Sequence, residues 1–226
     1  MFKVFSRLVA DAALVVILLL VSAGTLAWWR AWVLVGVMLV VRISSAVAVH
    51  RVNPALIEER AKLPIHGDQP RTDRLLVFAV LGMGFVGLPI IAGFDVFRWH
   101  VLSRPVPMIS LLGLVVFTVG WVIKGLALRA NAFATNVVRL QRERRHAVAD
   151  TGVYRIVRHP FYAATPLVFV GLGLWLESYT TALLAAIPTS IVIVRLCLEE
   201  RFLRRELPGY DQYAERVRYR LLPGVW

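Results

Sequence analysis

The chain is organised as long apolar runs separated by short stretches rich in arginine. Six apolar runs are present, covering residues 8–28, 32–50, 75–94, 106–128, 161–176 and 181–198. An apolar run of about 20 residues is long enough to cross the hydrocarbon core of a bilayer as a helix. The pattern therefore predicts an all-α fold, a polytopic transmembrane helical bundle with about six spans.

The last two apolar runs predict a helical hairpin, because only residues 177–180 separate them. The first arm of this hairpin is short and contains Pro166, so we expect that it need not cross the whole bilayer. A hairpin returns the chain to the side it left. Residues just before the fifth run and just after the sixth should therefore meet at one membrane face.

Lysine and arginine are distributed unequally between the two sets of connecting segments. One set, which includes both termini, carries most of them: Lys3, Arg7, Arg51, Arg60, Lys62, Arg71, Arg74, Arg139, Arg142, Arg144, Arg145, Arg155, Arg158 and the basic tail. The opposite set carries only Arg30, Arg98 and Arg104. Because cytoplasmic loops are enriched in positive charge, we expect cytoplasmic termini in a multi-pass protein of the bacterial inner membrane.

The composition also indicates a membrane protein. Of 226 residues, 58% are hydrophobic and 18% are charged, and the mean hydropathy of +0.68 is too high for a water-soluble domain of this size. We expect one integral membrane domain over residues 1–226, with N-terminal transmembrane helices in 1–128 and a more polar half in 129–226. The first apolar run is too long for a typical signal peptide, which favours an uncleaved span.

The formal net charge of +12 is compatible with nucleic acid or an anionic membrane surface. The membrane is favoured, since the arginines flank apolar runs and no nucleic-acid-binding module is recognisable. The single cysteine, Cys197, excludes an intramolecular disulfide framework and a cysteine-rich metal site. We therefore expect membrane lipids as partners, no nucleic acid and no metal.

Four ionisable residues lie within or near the apolar runs: Asp11, Arg42, Lys124 and Arg195. A charge in hydrocarbon is costly, so each is a candidate functional residue unless its charged group reaches the interface. We expect the side chains of Asp11, Arg42 and Lys124 to extend to the interface in this way. Arg195 differs because it belongs to a polar group of residues.

A polar corner precedes the fifth apolar run. Pro160 suits the first turn of a helix, where its missing N–H is not needed. Arg158, His159 and Tyr162 would then surround a helix N-terminus at the cytoplasmic interface, where free backbone N–H groups are able to hold an anionic ligand group. The alternative is that Arg158 and Tyr162 are interface anchors and His159 a polar cap.

A second polar group ends the sixth run, where Arg195 precedes Glu199 by one helical turn and Glu200 follows. Residues four apart share a helix face, so Arg195 and Glu199 point the same way, and a simple ion pair is the alternative to a functional role. The hairpin brings this turn to the same edge as the Pro160 corner. The result is an expected cytoplasmic-face cofactor pocket, polar toward the cytosol and apolar toward lipid.

The segment from Asn131 to Trp226 resembles the isoprenylcysteine carboxyl methyltransferase family and its relatives among phospholipid methyltransferases. The matching motifs occur in order: Gly152-Val153-Tyr154, Arg158-His159-Pro160-Phe161-Tyr162, Arg195 with Glu199-Glu200 and Leu203, and Pro208-Gly209-Tyr210-Asp211-Gln212-Tyr213 through Leu222-Pro223. The first four spans share only general hydropathy with that family. Departures occur at Ala147-Val148-Ala149 and Ala163-Ala164, and Gln141 aligns only across a short gap.

The resemblance implies S-adenosylmethionine as the methyl donor. It places a set of residues around this cofactor: Gln141, His146, Ala147, Val148, Ala149, Tyr154, Arg158, His159, Pro160, Phe161, Tyr162 and Glu199. It further implies that Arg195 binds the acceptor and that Arg195, Glu199 and Glu200 carry the catalytic roles. The half of the chain from 129 to 226 is then the methyltransferase-like half.

The resemblance also implies a methyl transfer to a lipid-like or isoprenoid acceptor. A carboxylate acceptor is already ionised and needs no general base, so positioning would supply most of the catalysis. Arg195 would hold such a carboxylate through its planar fork. An amine acceptor must first lose a proton, for which His159 or Glu200 is the candidate base. A nicotinamide-dependent membrane reductase and a non-catalytic scaffold remain as alternatives, although no dinucleotide-binding motif is recognisable.

Overall fold

A computed structural model describes residues 2–61, 70–135 and 146–226 of the chain. Within these ranges every regular element is helical, which confirms the predicted all-α class. The α-helices are α1 Phe2–Ala23, α2 Trp29–Val52, α3 Pro54–Ala61, α4 Arg71–Val80, α5 Leu88–Phe94, α6 Pro107–Ala130, α7 Pro160–Trp175, α8 Tyr179–Leu184, α9 Ala186–Glu206 and α10 Tyr210–Arg216. Two π-helical segments, Leu81–Gly87 and Asp95–Trp99, continue α4 and α5 into one rod.

The described part of the chain contains five helical segments that are long and apolar enough to cross a membrane: Lys3–Ala23, Trp29–Val52, Arg71–Trp99, Pro107–Ala130 and Tyr179–Glu206. The fifth predicted span corresponds to α7, whose 16 residues have a helical length of about 24 Å. Because a hydrocarbon core is about 30 Å thick, α7 is shorter than a full span. The protein is thus an integral membrane helical bundle.

Small residues allow α6 and α7 to pack against each other in antiparallel directions. A Cβ atom added to Gly120 would lie 2.8 Å from Val168 Cγ2 and 3.1 Å from the Ala164 carbonyl oxygen. One added to Gly113 would lie 2.7 Å from the Trp175 backbone nitrogen. Backbones approach this closely in membrane bundles when the interface residues are small. Helix α7 therefore runs back along α6 and carries the Pro160 corner to the C-terminal end of α6.

The predicted hairpin is present and has an additional short helix at its turn. Ser178 Oγ accepts a 2.9 Å hydrogen bond from the Thr181 backbone N–H and so caps α8. The same hydroxyl donates to Asp95 Oδ2 at 2.6 Å, which ties the turn to the rod formed by Arg71–Trp99. At the other end of the hairpin the Tyr162 hydroxyl donates to Glu199. The turn after α7 is thus held against the rod, and the start of α7 is held against α9.

The charged residues inside the bundle are stabilised within the protein. Arg42 Nη2 lies 2.6 Å from Asp11 Oδ2, so these two charges compensate each other. The expectation that Lys124 reaches the interface is wrong, because its side chain is only 5% exposed. Its ammonium group instead donates to Thr165 Oγ1 at 2.8 Å and to the Phe161 carbonyl oxygen at 3.2 Å. The ammonium group stays inside the bundle because α7 offers it these two oxygen acceptors.

Candidate active site

One large cavity of about 600 Å³ lies inside the helical bundle, close to the Pro160 corner. At one end its walls are polar, with His146, Tyr154, His159, Tyr162 and Glu199 among the lining residues. Toward the membrane interior its walls are apolar, with Leu14, Val15, Met38, Val80 and Phe85 among them. A cavity of this volume is in the range that holds a cofactor-sized molecule. Its two ends differ in polarity, as the sequence predicted for the pocket.

The hairpin places Tyr162 on α7 directly beside Glu199 on α9. The Tyr162 hydroxyl donates a hydrogen bond to Glu199 Oε2. The Arg195 guanidinium carbon lies 5.7 Å from the centroid of the Tyr162 ring. The three side chains therefore form one group on the cavity wall, and all of them were predicted as site residues.

Arg195 has a carboxylate partner on a different helix. Its Nε donates a 2.8 Å hydrogen bond to Asp73 Oδ1 on α4. The sequence predicted only an ion pair within α9 as the alternative to a functional role, and it gave no signal for Asp73. Because Asp73 holds Nε, it fixes the direction of the guanidinium plane, which lines the cavity.

Arg158 and Glu200 form a buried ion pair that secures the C-terminal tail. Arg158 Nη2 lies 2.6 Å from Glu200 Oε1, and both side chains are 4% exposed. Arg158 Nη1 also donates to the Val217 and Arg218 carbonyl oxygens, at 2.7 and 2.8 Å. The second Glu200 oxygen accepts from Arg220 Nε. Glu200 does not appear among the residues that line the cavity, whereas Arg158 does.

The backbone of the Pro160 corner is used by the protein itself. The N–H groups of Arg158 and His159 donate to the Tyr219 and Arg220 carbonyl oxygens, at 2.9 and 3.0 Å. Those of Tyr162 and Ala163 donate to the His159 carbonyl oxygen. The expectation of an anion site built from free N–H groups is therefore wrong for these four groups, because two of them donate to the tail and two to the His159 carbonyl oxygen. Pro160 itself is buried at the start of α7 and is outside the cavity lining.

His159 is a neutral imidazole on the cavity wall at physiological pH. Burial, opposed in part by the Glu200 charge, lowers the pKa of His159 to about 4. Its Nε2 lies 3.4 Å from the Tyr210 hydroxyl, a residue of α10 that also lines the cavity. Because the His159 ring is neutral, it adds no charge to the cavity. It is able to accept a hydrogen bond or a proton.

Tyr154 lies in a short 3₁₀ helix, Gly152–Arg155, next to the C-terminal end of α6. Burial raises the pKa of Tyr154 to about 12, so its hydroxyl stays protonated. The hydroxyl accepts a 3.2 Å hydrogen bond from Asn131 Nδ2. The Tyr154 carbonyl oxygen accepts one from the Tyr213 hydroxyl at 2.8 Å. Both partners line the cavity, and sequence reasoning had not assigned either of them a site role.

The stretch His146, Ala147, Val148, Ala149 lines the cavity and belongs to no regular element. The His146 ring stacks on Phe133 with 4.4 Å between ring centroids. Val148 packs against a cluster that includes Leu207, Tyr210 and Tyr213. Gln141, which was also predicted to bind the cofactor, lies outside the described residues. In the described part of the chain no group of three His, Cys, Asp or Glu side chains is placed to hold a metal.

Comparisons with known proteins find similarity to methyltransferases. Residues 108–208 match the family described as phospholipid methyltransferase. A probable protein-S-isoprenylcysteine O-methyltransferase of Oryza sativa subsp. indica is 33% identical over 112 residues, covering 48% of this chain and 59% of the relative. Protein-S-isoprenylcysteine O-methyltransferase B of Arabidopsis thaliana is 30% identical over 112 residues, covering 48% and 57%. The chain thus spans somewhat less than three fifths of these curated relatives' length.

A solved structure shows a similar fold over nearly the whole chain. The eukaryotic intramembrane Ras methyltransferase, an isoprenylcysteine carboxyl methyltransferase, superposes with a TM-score of 0.56. The match covers 96% of this chain and 75% of that one, at 20% sequence identity. At this identity the likeness concerns the fold. Residues 108–208 therefore match the phospholipid methyltransferase family, within a bundle whose fold is similar to that of an isoprenylcysteine carboxyl methyltransferase.

Proposed function

We propose that this protein is a membrane O-methyltransferase that moves a methyl group from S-adenosylmethionine to the carboxylate of an isoprenylcysteine or a similar lipid-like acceptor. One observation carries the proposal. A single cavity joins a polar end, lined by Glu199, Tyr162 and His159, to an apolar arm between membrane helices. A water-soluble methyl donor and an isoprenoid acceptor would meet in such a cavity. The named activity of the curated relatives supports it.

The polar end fits the donor. Glu199 offers a carboxylate for ribose hydroxyls or an amino group, and Tyr162 already fixes its orientation. The Tyr162 and Tyr154 rings and the stretch 146–149 supply aromatic and apolar surface for a purine. His159 and Phe161 complete this wall, and Gln141 remains a predicted contact. S-adenosylmethionine supplies an activated methyl group bound to a sulfonium sulfur.

The reaction needs alignment and no proton removal. A carboxylate oxygen forms a bond to the methyl carbon while the bond from that carbon to sulfur breaks, and the electron pair remains on sulfur as a neutral thioether. The acceptor carboxylate is ionised near neutral pH. In this proposal Arg195, whose Nε donates to Asp73, orients the carboxylate. Most of the rate acceleration is then expected from positioning the two reactants in line.

Glu200 and Arg158 are proposed to act as positioning residues. We predicted a catalytic role for Glu200 and a cofactor contact for Arg158. Both Glu200 oxygens are engaged by Arg158 and Arg220. This arrangement supports a role in holding the tail against the His159 backbone, which keeps the corner in place.

We also propose that the polar end of the cavity faces the cytoplasm of a bacterial cell, with both termini on that side of the inner membrane. The asymmetric distribution of lysine and arginine supports this orientation. S-adenosylmethionine is charged and does not cross a bilayer unaided. Sealed inverted vesicles should therefore use added donor, whereas right-side-out vesicles should be active only after permeabilisation. The reverse pattern would contradict the orientation.

A second candidate is N-methylation of a phospholipid amine, which the matched family's description suggests. The observation in its favour is His159, a neutral imidazole on the cavity wall that is able to accept a proton. The two reactions differ in their product. Methyl esters release methanol in base, whereas methylated amines do not.

The donor half of the proposal is tested by titrating the purified protein with S-adenosylhomocysteine in a calorimeter. We expect one site per chain, with affinity lowered about tenfold in Glu199→Gln because a charged hydrogen-bond acceptor is lost. Glu215→Gln, an exposed residue on α10, is the control and should bind as the wild type. Absence of binding to the wild-type protein would contradict the proposed function. Equal affinity in the two variants would remove Glu199 from the donor site.

A further inference from the structure

Two cationic side chains line the cavity without a carboxylate partner in the described part of the chain. Lys124 Nζ donates to Thr165 Oγ1 and to the Phe161 carbonyl oxygen, both neutral groups. Arg60 Nη1 donates to the Ala134 carbonyl oxygen at 2.7 Å, another neutral group. Both residues belong to the cavity wall. Their positive charge is therefore not balanced by an acidic side chain of the described residues.

The other buried cations of the same cavity differ in this respect. Arg42 lies 2.6 Å from Asp11, and Arg158 lies 2.6 Å from Glu200. Arg195 lies 2.8 Å from Asp73. The fold thus provides carboxylates for the cations on three parts of the cavity wall. Lys124 and Arg60 differ in that no carboxylate of the described residues is bonded to either of them.

The same aromatic ring brings Lys124 and Arg60 together. Lys124 Nζ lies 3.9 Å from the centroid of the Phe161 ring, and the Arg60 guanidinium carbon lies 5.3 Å from it. The Tyr162 ring is the neighbour of the Phe161 ring, with 6.5 Å between their centroids, and the Arg195 guanidinium lies near the Tyr162 ring. The Phe161 ring thus lies beside the two cations that have no carboxylate partner among the described residues, and the Tyr162 ring lies beside Arg195.

A buried cation without a counterion is unfavourable in a protein interior. Lys124 is almost fully buried in a membrane helix, and a neutral hydroxyl, a carbonyl and a ring face offset only part of its lost hydration. Two like charges on one ring add repulsion to this cost. An anion bound between them would remove both costs, and the affinity for that anion would be correspondingly high.

We infer that Lys124 and Arg60, which both lie beside the Phe161 ring, form an anion subsite that binds a carboxylate during the reaction. The inference rests on the proposed function and deepens it. Two reactants carry a carboxylate: the acceptor and the amino-acid part of the methyl donor. If the subsite holds the acceptor carboxylate, it selects an anionic acceptor over an amine. If it holds the donor carboxylate, it anchors the donor.

Variants of Lys124 test the subsite with two pairs of ligands. S-adenosylhomocysteine and 5′-methylthioadenosine differ by the amino-acid group that contains the carboxylate. An N-acylated S-isoprenylcysteine and its carboxamide differ by the negative charge of the acceptor. The affinity of each ligand is measured by calorimetry or by competition. The variant Lys124→Met removes the charge, and Arg129→Met, an exposed residue at the end of the same helix, is the matched control.

We expect Lys124→Met to reduce the affinity of at least one carboxylate ligand by tenfold or more while its uncharged counterpart binds as before. A loss confined to S-adenosylhomocysteine assigns the subsite to the donor, and a loss confined to the isoprenylcysteine acid assigns it to the acceptor. Unchanged affinities would overturn the inference. So would an equal loss for a charged ligand and its uncharged counterpart, which would indicate general damage to the cavity.

A second set of measurements keeps the test independent of folding and of the proposed function. Lys124→Arg keeps the charge and should retain more of the carboxylate preference than Lys124→Met. The apo form of Lys124→Met should unfold at the same temperature as the wild type or higher, because a cost has been removed. A marked loss of apo stability would assign Lys124 a structural role instead. Failure of wild-type S-adenosylhomocysteine binding, in contrast, would reject the proposed function itself.

Discussion

Arg195 shows how a single side chain connects two parts of the site. It lies one helical turn before Glu199 on α9, and Asp73 on α4 holds its Nε. The Asp73 contact leaves the guanidinium oriented along the cavity wall. A lysine at this position would keep a positive charge but would lose the planar fork and the fixed direction.

We therefore predict that Arg195→Lys reduces kcat by tenfold or more while the affinity for S-adenosylhomocysteine stays within about twofold of the wild type. Arg201→Lys, at an exposed position of the same helix, is the control and should keep full activity. The two quantities are measured on the same purified preparation. Full turnover in Arg195→Lys would remove Arg195 from the acceptor site, and an equal loss of donor affinity would place it in the donor site.

His159 should make the stability of the protein sensitive to acid. Its pKa is lowered from 6.5 to about 4 by burial, so the unfolded chain binds a proton at a higher pH than the folded protein does. Stability should consequently fall as the pH decreases from about 6.5 to about 4, by at most roughly 3 kcal/mol from this residue. Thermal unfolding in detergent should show a shallower decline for His159→Gln. Parallel curves for the two proteins would contradict this assignment.

At the scale of helices, the contact between α6 and α7 determines where the Pro160 corner lies. Gly120 faces backbone atoms of α7, with the Val168 nitrogen 3.0 Å and the Ala164 carbonyl oxygen 3.1 Å from an added Cβ. Backbone atoms within a helix have little freedom to move away. A larger side chain at this position must separate the two helices and shift the corner.

We predict that Gly120→Leu lowers the unfolding temperature by several degrees, in line with a cost of about 1–3 kcal/mol for overpacking. It should also weaken S-adenosylhomocysteine binding, since Tyr162 and His159 are carried by α7 and its cap. Gly36→Leu is the matched control, because a Cβ at Gly36 on α2 meets no atom within 4 Å. Equal stability of the two variants would show that the helices repack without cost.

The helices themselves could be predicted from local sequence, but their partners could not. The apolar runs predicted the five long helical segments and the hairpin because length and hydropathy are local properties. The pairing of Arg195 with Asp73 joins residues that are 122 positions apart. The hydrogen bonds that attach the tail to Arg158 span 59 and 60 positions. The hydrophobic periodicity of one segment does not indicate which distant segment its polar side chains will contact.

At the scale of the whole molecule, the cavity is lined both by residues within 108–208, which match a known family, and by residues of the helices that precede them. The sequence predicted the meeting of the Pro160 corner with Arg195 and Glu199, because a hairpin must return to its own side. It did not predict that α1 and α2 would supply apolar walls through Leu14, Val15 and Met38. It placed Lys124 at the interface, since hydropathy does not report which polar atoms a neighbouring helix offers.

The most direct test of the account measures methyl transfer itself. Sealed inverted vesicles containing the purified protein are given S-adenosylmethionine labelled in the methyl group and an N-acylated S-isoprenylcysteine. The account predicts that label enters the organic phase with turnover and that base then releases it as methanol. Label in a base-stable amine would favour phospholipid N-methylation. The proposed methyltransferase function would be contradicted by a protein that binds S-adenosylhomocysteine yet transfers no label to any carboxylate or amine acceptor.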